Sequence, residues 1–192
     1  MSLWLKTTPV AQSLNNALFF TLADSETSNK ILLGLTKSSA HSKLGIGLRS
    51  ASLTSAGSGT VLLTDSTNPA EWPSLSDGQW HTVSVSLSSS AADCFAAVDG
   101  IKAGAFACPS FNILKTSTII LGQEQDSVGG SFDKNQAFYG RLSRVFVYGE
   151  ALGEGILRNI GNHHQVTPLA TFADSDPRGS VATEVTSLAV RR

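Results

Sequence analysis

Short apolar runs, each cut off by Ser, Gly, Asn or Asp, fill most of this chain and leave little room for helix. Such spacing is the pattern of an antiparallel β-sandwich. The candidate strands are residues 3–6, 17–22, 30–35, 44–49, 60–64, 80–87, 94–98, 117–121 and 140–148. In the run from Trp80, Val83, Val85 and Leu87 alternate with Thr82, Ser84 and Ser86, which predicts one apolar face and one wetter, loosely packed face. The run from Gly140 carries apolar residues of both parities, Leu142, Phe146 and Tyr148 against Val145 and Val147. A strand covered on both faces, or interrupted by a bulge, explains that. Leu152, Ile156, Leu157 and Ile160 fall at helical spacing before Gly161, which predicts one short surface helix, weakened by Gly153 and Gly155.

A β-rich chain of 192 residues can bury a core as one domain, so residues 1–192 are read as a single unit, with 173–192 weakly assigned. Fourteen Lys and Arg against fifteen Asp and Glu give a net charge of −1, too small a field to draw in nucleic acid or an anionic membrane. The apolar runs fall far short of the roughly 18 residues that suggest a membrane span, so no membrane insertion is expected. Met1-Ser2-Leu3-Trp4-Leu5-Lys6 does not read as a signal peptide. No Asn-x-Ser/Thr acceptor occurs.

The segment that carries chemistry runs from Ile120 to Gln136 between two apolar strands. Glu124, Asp126 and Asp133 lie within ten positions, Gln125 and Gln136 add amide or carbonyl oxygen, and Gly129-Gly130 lets the chain fold back. Like charges held together repel unless a cation compensates them. Calcium (Ca2+) suits such a loop because it takes six to eight oxygens in flexible geometry. Composition alone equally describes an ordinary acidic surface loop.

Beyond composition, Ile-Leu-Gly-Gln-Glu-Gln-Asp-Ser-x-Gly-Gly-x-Phe-Asp-x-x-Gln, from Ile120 to Gln136, closely resembles the calcium loop of the pentraxins. Asp77-Gly78-Gln79-Trp80-His81 resembles that family's D-G-x-W-H strand start, and Val98-Asp99-Gly100 its V-D-G turn, so the most specific match covers 77–160. The resemblance implies an all-β, concanavalin-like antiparallel jelly-roll sandwich lacking the family domain's N-terminal strands, whose gap would leave an open edge for a neighbouring chain, an upstream segment or the C-terminus to fill. It implies a metal site of Asn29, Glu124, the Gln125 carbonyl, Asp126, Asp133 and Gln136, holding calcium. An Asp-Asn pair of the family is matched by Ser28-Asn29, one carboxylate short. The family's apolar residue for choline methyls aligns with Gly34, which argues against phosphocholine specificity.

The implied function is calcium-dependent recognition of a phosphate-bearing, anionic or carbohydrate ligand by an extracellular or lumenal, non-enzymatic protein. The resemblance further implies a cyclic homo-oligomer or a larger multidomain protein. A structural or adhesion module of laminin-G type, with calcium only stiffening the loop, is the alternative. The family's inter-strand disulfide aligns with Ser2 and Ser84. Cys94 and Cys108 flank the Asp99-Gly100 turn, where a hairpin loop of about five residues would bring them together, as a cross-strand disulfide or as two buried thiols. Glycosidase chemistry at Glu124 and Asp126 lacks the further acid its enzymes use, and no nucleophile elbow or phosphate loop occurs. His81 reads as a packed histidine, and His163-His164 as partners of the helix end.

Overall fold

The computed structural model describes residues 1–7, 17–37, 42–48, 59–62, 75–88, 93–107, 112–160 and 170–172. Their apolar runs form β1 (Ser2–Thr7), β2 (Ala17–Ala23), β3 (Ile31–Lys37), β4 (Ser42–Leu48), β5 (Gly59–Leu62), β6 (Trp80–Ser86), β7 (Asp93–Val98), β8 (Ile101–Ala107), β9 (Thr118–Leu121), β10 (Gly140–Val147) and β11 (Ala170–Phe172). One α-helix, α1 (Glu154–Ile160), follows β10. The strands make a six-stranded sheet in the order β11-β10-β1-β6-β7-β8 and a five-stranded sheet in the order β5-β4-β3-β2-β9. Every strand pair is antiparallel.

Inward-facing residues of the two sheets meet in one core. Leu3, Leu5, Val83, Val85, Ala96 and Val98 come from the larger sheet, and Phe19, Leu22, Ile31, Leu33, Leu44, Ile46 and Ile119 from the smaller. Truncating one such side chain, for example Leu5→Ala, costs about 2–5 kcal/mol, because both transfer energy and packing are lost. A separate small cluster seats α1 through Leu152, Leu157 and Ile160 against Phe95 and Tyr148.

β10 shows why its sequence carries both parities. Ser2 is paired with Phe146 and Trp4 with Ser143, so β10 holds one residue more than β1 over that stretch. Arg144 takes a φ of +49° there. The bulge reverses the alternation, and Leu142 and Val145 both reach the core.

Two expectations are corrected. The hydroxylic face of β6 is not wet: Thr82, Ser84 and Ser86 are all buried. β6 lies inside the larger sheet, where Thr82 is paired with Trp4 and Ser86 with Phe95, while Ser84 sits between Ser2 and Ala97. The β7–β8 loop is two residues, Asp99-Gly100, rather than about five, since Val98 pairs directly with Ile101. Both turn residues have positive φ, +49° and +75°, as the tightest hairpin turns require. Cys94 is buried and is not a free thiol, while Cys108 lies outside the described residues.

No open edge adjoins β1, which is flanked by β10 and β6; beyond β10 lies β11, from the C-terminal part of the chain. His163, His164 and residues 173–192 lie outside the described residues. Among those described, no helix is long and apolar enough to cross a membrane.

Candidate functional site: an acidic loop folded back on the smaller sheet

β9 ends at Leu121, and Gly122 takes a φ of +77°, a conformation that strongly favours glycine. Its N–H donates to the Phe19 carbonyl at 3.0 Å, and its own carbonyl accepts from the Phe138 N–H at 2.9 Å. Those bonds close the neck of a loop that runs back along β2. Thr21, wholly buried, donates through Oγ1 to the Gln123 carbonyl at 3.2 Å.

Gln125 is the internal post of this loop. Its side chain is completely buried; Nε2 donates to Thr21 Oγ1 and to the Thr118 carbonyl, each at 3.2 Å, and Oε1 accepts the Gly129 N–H at 2.9 Å. With the side chain so engaged, its backbone carbonyl is the atom of this residue left to consider as a ligand. At the loop tip, Ser127 and Gly130 exchange backbone hydrogen bonds of 3.3 and 3.0 Å.

Glu124 and Asp126 flank Gln125 and come together beside Asn29, from the turn between β2 and β3. Asn29 Nδ2 donates to Glu124 Oε1 at 3.2 Å and to Asp126 Oδ1 at 3.5 Å. The other end of that amide, Asn29 Oδ1, is buried without a hydrogen-bond partner. The side-chain amide of Gln136 abuts the Glu124 carboxylate, and in the orientation that satisfies both groups its Nε2 donates to that carboxylate.

Burial raises the Glu124 carboxyl above its ordinary value. The Asp126 charge adds to the rise, the Asn29 hydrogen bond opposes it, and the contact with Asp126 and the charge of Asp133 reinforce it. Asp133 is placed differently from its two fellows. It caps the short 3₁₀ helix Lys134–Gln136, its Oδ1 accepting from Asn135 N and Asn135 Nδ2, each at 2.9 Å. Among the described residues, no group of three or more His, Cys, Asp or Glu side chains is gathered as metal ligands. The arrangement is two carboxylates and two amides, with Asp133 acting on Glu124 through its charge.

Gly34, the position aligned with an apolar ligand contact, has no room for a side chain. A Cβ there would lie 2.5 Å from Leu18 Cδ2 and 2.9 Å from the Ala17 carbonyl. An apolar cleft of about 340 Å³ between the sheets, lined in part by Phe20, Leu33, Val85 and Val147, includes none of the acidic-loop residues. The acids therefore do not line that cleft; Asp126 is exposed beside the buried Glu124.

His81 is held between two carboxylates, Nδ1 at 2.7 Å from Asp99 Oδ2 and Nε2 at 2.9 Å from Asp77 Oδ1. Asp99 Oδ1 also accepts the Thr82 N–H at 2.7 Å. The D-G-x-W-H and V-D-G segments are thus one clamp across β6 and β7.

The model of the Pentaxin family matches residues 13–169. This chain belongs to the pentraxin family. Human Pentraxin-4 is 34% identical over 105 residues, 53% of this pentraxin chain and 22% of the relative. Human Neuronal pentraxin-2 is 39% identical over 90 residues, 46% of this chain and 21% of the relative. The matched stretches thus span about a fifth of those proteins' length. Among solved structures, the native heptameric SAP-like pentraxin from Limulus polyphemus superposes with a TM-score of 0.68 at 18% identity, over 97% of this chain and 78% of its own. That likeness shows the shared sandwich.

Thr21 carries no signal in the sequence that marks it as part of the site. Thr21 is one polar residue in an apolar strand, and its role follows only once the loop is seen to fold back across it.

Proposed function

We propose that this pentraxin chain is a calcium-dependent recognition module whose ion is held by Glu124, Asp126, Asn29, the Gln125 carbonyl and Gln136, with Asp133 at the rim. The observation that supports this most is the surplus of acceptors. Asn29 Oδ1 is buried without a donor, beside the Glu124 and Asp126 carboxylates that its Nδ2 reaches. An unsatisfied buried acceptor costs about 1–3 kcal/mol, and a hard cation that accepts six to eight oxygens removes that cost while compensating the neighbouring acids.

The donor set fits calcium by its chemistry, being oxygen throughout. An ion exposed at the surface offers its remaining coordination positions to oxygens of a phosphate-bearing, anionic or carbohydrate ligand. The protein's side chains hold the metal, and the metal reverses the local charge. Val128 and Phe132 stand exposed on the same loop, where they can touch apolar parts of the ligand. The paired acids lie in a loop and lack the further acid that sandwich-fold glycosidases use, so the reading is binding without catalysis. An extracellular or lumenal setting and a cyclic homo-oligomer complete it, the latter by analogy with the heptameric Limulus protein.

Retention on immobilised phosphate and sugar matrices, in calcium and then in a chelator, tests the reading. Recognition predicts retention that the chelator releases. A module in which calcium only stiffens the loop predicts calcium binding with no retention on either matrix.

A further inference from the structure

A lysine ammonium in a protein interior is costly unless paired, and Lys30, next to Asn29, is only 2% exposed. Its Nζ is bonded to Asp24 Oδ2 and donates to the Asn112 carbonyl at 2.6 Å, with Glu26 Oε2 3.6 Å away. The other oxygen of the same carboxylate, Asp24 Oδ1, accepts the N–H groups of Glu26 and Thr27, each at 3.0 Å. Asp24 and Thr27 also exchange backbone hydrogen bonds of 3.1 and 3.2 Å. One buried carboxylate therefore fastens both the start of the β2–β3 turn and, through Lys30, its end. Asn29 is the turn residue that immediately precedes Lys30.

Replacing a buried ion pair by apolar groups is often neutral or stabilising, so stability alone is a weak reason for its presence. Fixing one arrangement of the chain is a stronger one. We propose that the Asp24–Lys30 pair is a positioning device for the ion site: it holds the turn so that the Asn29 amide meets Glu124 and Asp126. The proposal rests on the calcium reading above. With Ser28 in place of a carboxylate, Asn29 is the turn's link to the acids, and its placement carries more of the site.

A nearby charge and a positioning device predict opposite signs. If Lys30 acted only as a positive charge, Lys30→Met would relieve repulsion and calcium would bind more tightly. Positioning makes the same substitution weaken binding. The paired change Asp24→Asn with Lys30→Met conserves net charge, so electrostatics alone predicts no effect. Positioning predicts a loss of about 10–100-fold, the range for groups that orient metal ligands.

The test is a double-mutant cycle on the full chain: calcium titration of the wild type, Asn29→Ala, the Asp24→Asn/Lys30→Met pair and the triple variant. Side-chain amide NMR of Asn29 without calcium is recorded alongside. We expect the pair and Asn29→Ala each to weaken calcium, the triple variant to be little weaker than either, and the Asn29 amide signals to shift in the ion-free pair. Unchanged affinity in the pair, or losses that multiply fully in the triple variant, overturns the proposal. Should the pair fail to fold, Lys30→Arg with the same NMR reading decides it, an unmoved Asn29 amide being the contrary result. Absence of calcium binding in the wild type would sink the recognition reading, while the ion-free Asn29 shift would still decide the positioning role.

Discussion

Ser2 on β1 and Ser84 on β6 are register partners, directly opposite each other, and both are buried. These are the positions at which the pentraxin resemblance places the family's inter-strand disulfide. The strands keep that pairing while two serines leave it without a covalent link. Hydrogen bonding and packing between β1, β6 and β10 hold these strands together instead.

The pairing predicts that Ser2→Cys with Ser84→Cys will oxidise to a bridge. Closing a loop of about 80 residues restricts the unfolded chain and, allowing for strain, should add about 2–4 kcal/mol. Denaturant unfolding with and without reductant reads the gain. Free thiols persisting under oxidising conditions would contradict the register.

Removing the loop's post should loosen the site from within. Gln125→Leu keeps the volume but takes one donor from Thr21 Oγ1 and leaves the Gly129 N–H without its acceptor, at a cost of about 1–3 kcal/mol. Calcium should weaken too, because Glu124 and Asp126 hang from this residue. Urea unfolding and a calcium titration check both, and a variant matching the wild type in each would refute the anchoring role.

A pH dependence follows from the clamp on β6. Both ring nitrogens of His81 face carboxylate oxygens, which only accept, so both contacts become hydrogen bonds when the ring is doubly protonated. Burial opposes that charge, yet the hydrogen bonds to Asp99 and Asp77 outweigh it and raise the His81 pKa above 6.5. The folded state thus binds this proton more tightly than the unfolded one. Its stabilisation is fully present below pH 6.5 and is lost as pH rises through the folded pKa. Urea midpoints of the wild type should fall over that window relative to His81→Gln, whose own profile should be flatter. Parallel profiles would contradict the clamp.

Protons and calcium should compete at Glu124. Its carboxyl titrates above the ordinary 4.5 because burial and the Asp126 charge favour the neutral acid. Without calcium, the folded state holds this proton more tightly than the unfolded state. That stabilisation is present below pH 4.5 and is lost as pH rises through the raised pKa. Calcium needs the carboxylate, so its affinity should drop as the solution is acidified toward that pKa. Titrations at pH 7.5 and pH 5 compare the two conditions, and equal affinities would remove Glu124 from the ligand set.

Much of the fold was legible because strand alternation and turn residues are local signals. The run from Trp80 and the helix after Gly149 needed no tertiary information. β8 was not singled out as a strand, since Ile101-Lys102-Ala103-Gly104-Ala105 has little apolar contrast and owes its pairing to the tight Asp99-Gly100 turn. The burial of Thr82, Ser84 and Ser86 was also hidden, because it depends on what neighbouring strands present. For the site, the acids could be read off the loop, but not their unequal use. Asp133 spends an oxygen on capping Asn135, whereas Glu124 and Asp126 converge on Asn29 from 95 and 97 residues away. The Asp24–Lys30 pair left no trace in the sequence, since an acid and a lysine in a turn ordinarily mark a solvated surface.

Isothermal titration of the chain with calcium, alongside Glu124→Ala and Asp126→Ala, reads the ion site itself. Saturable binding by the wild type, abolished by both substitutions, is the expected result. Binding of equal strength in all three proteins, or none in the wild type, would contradict it.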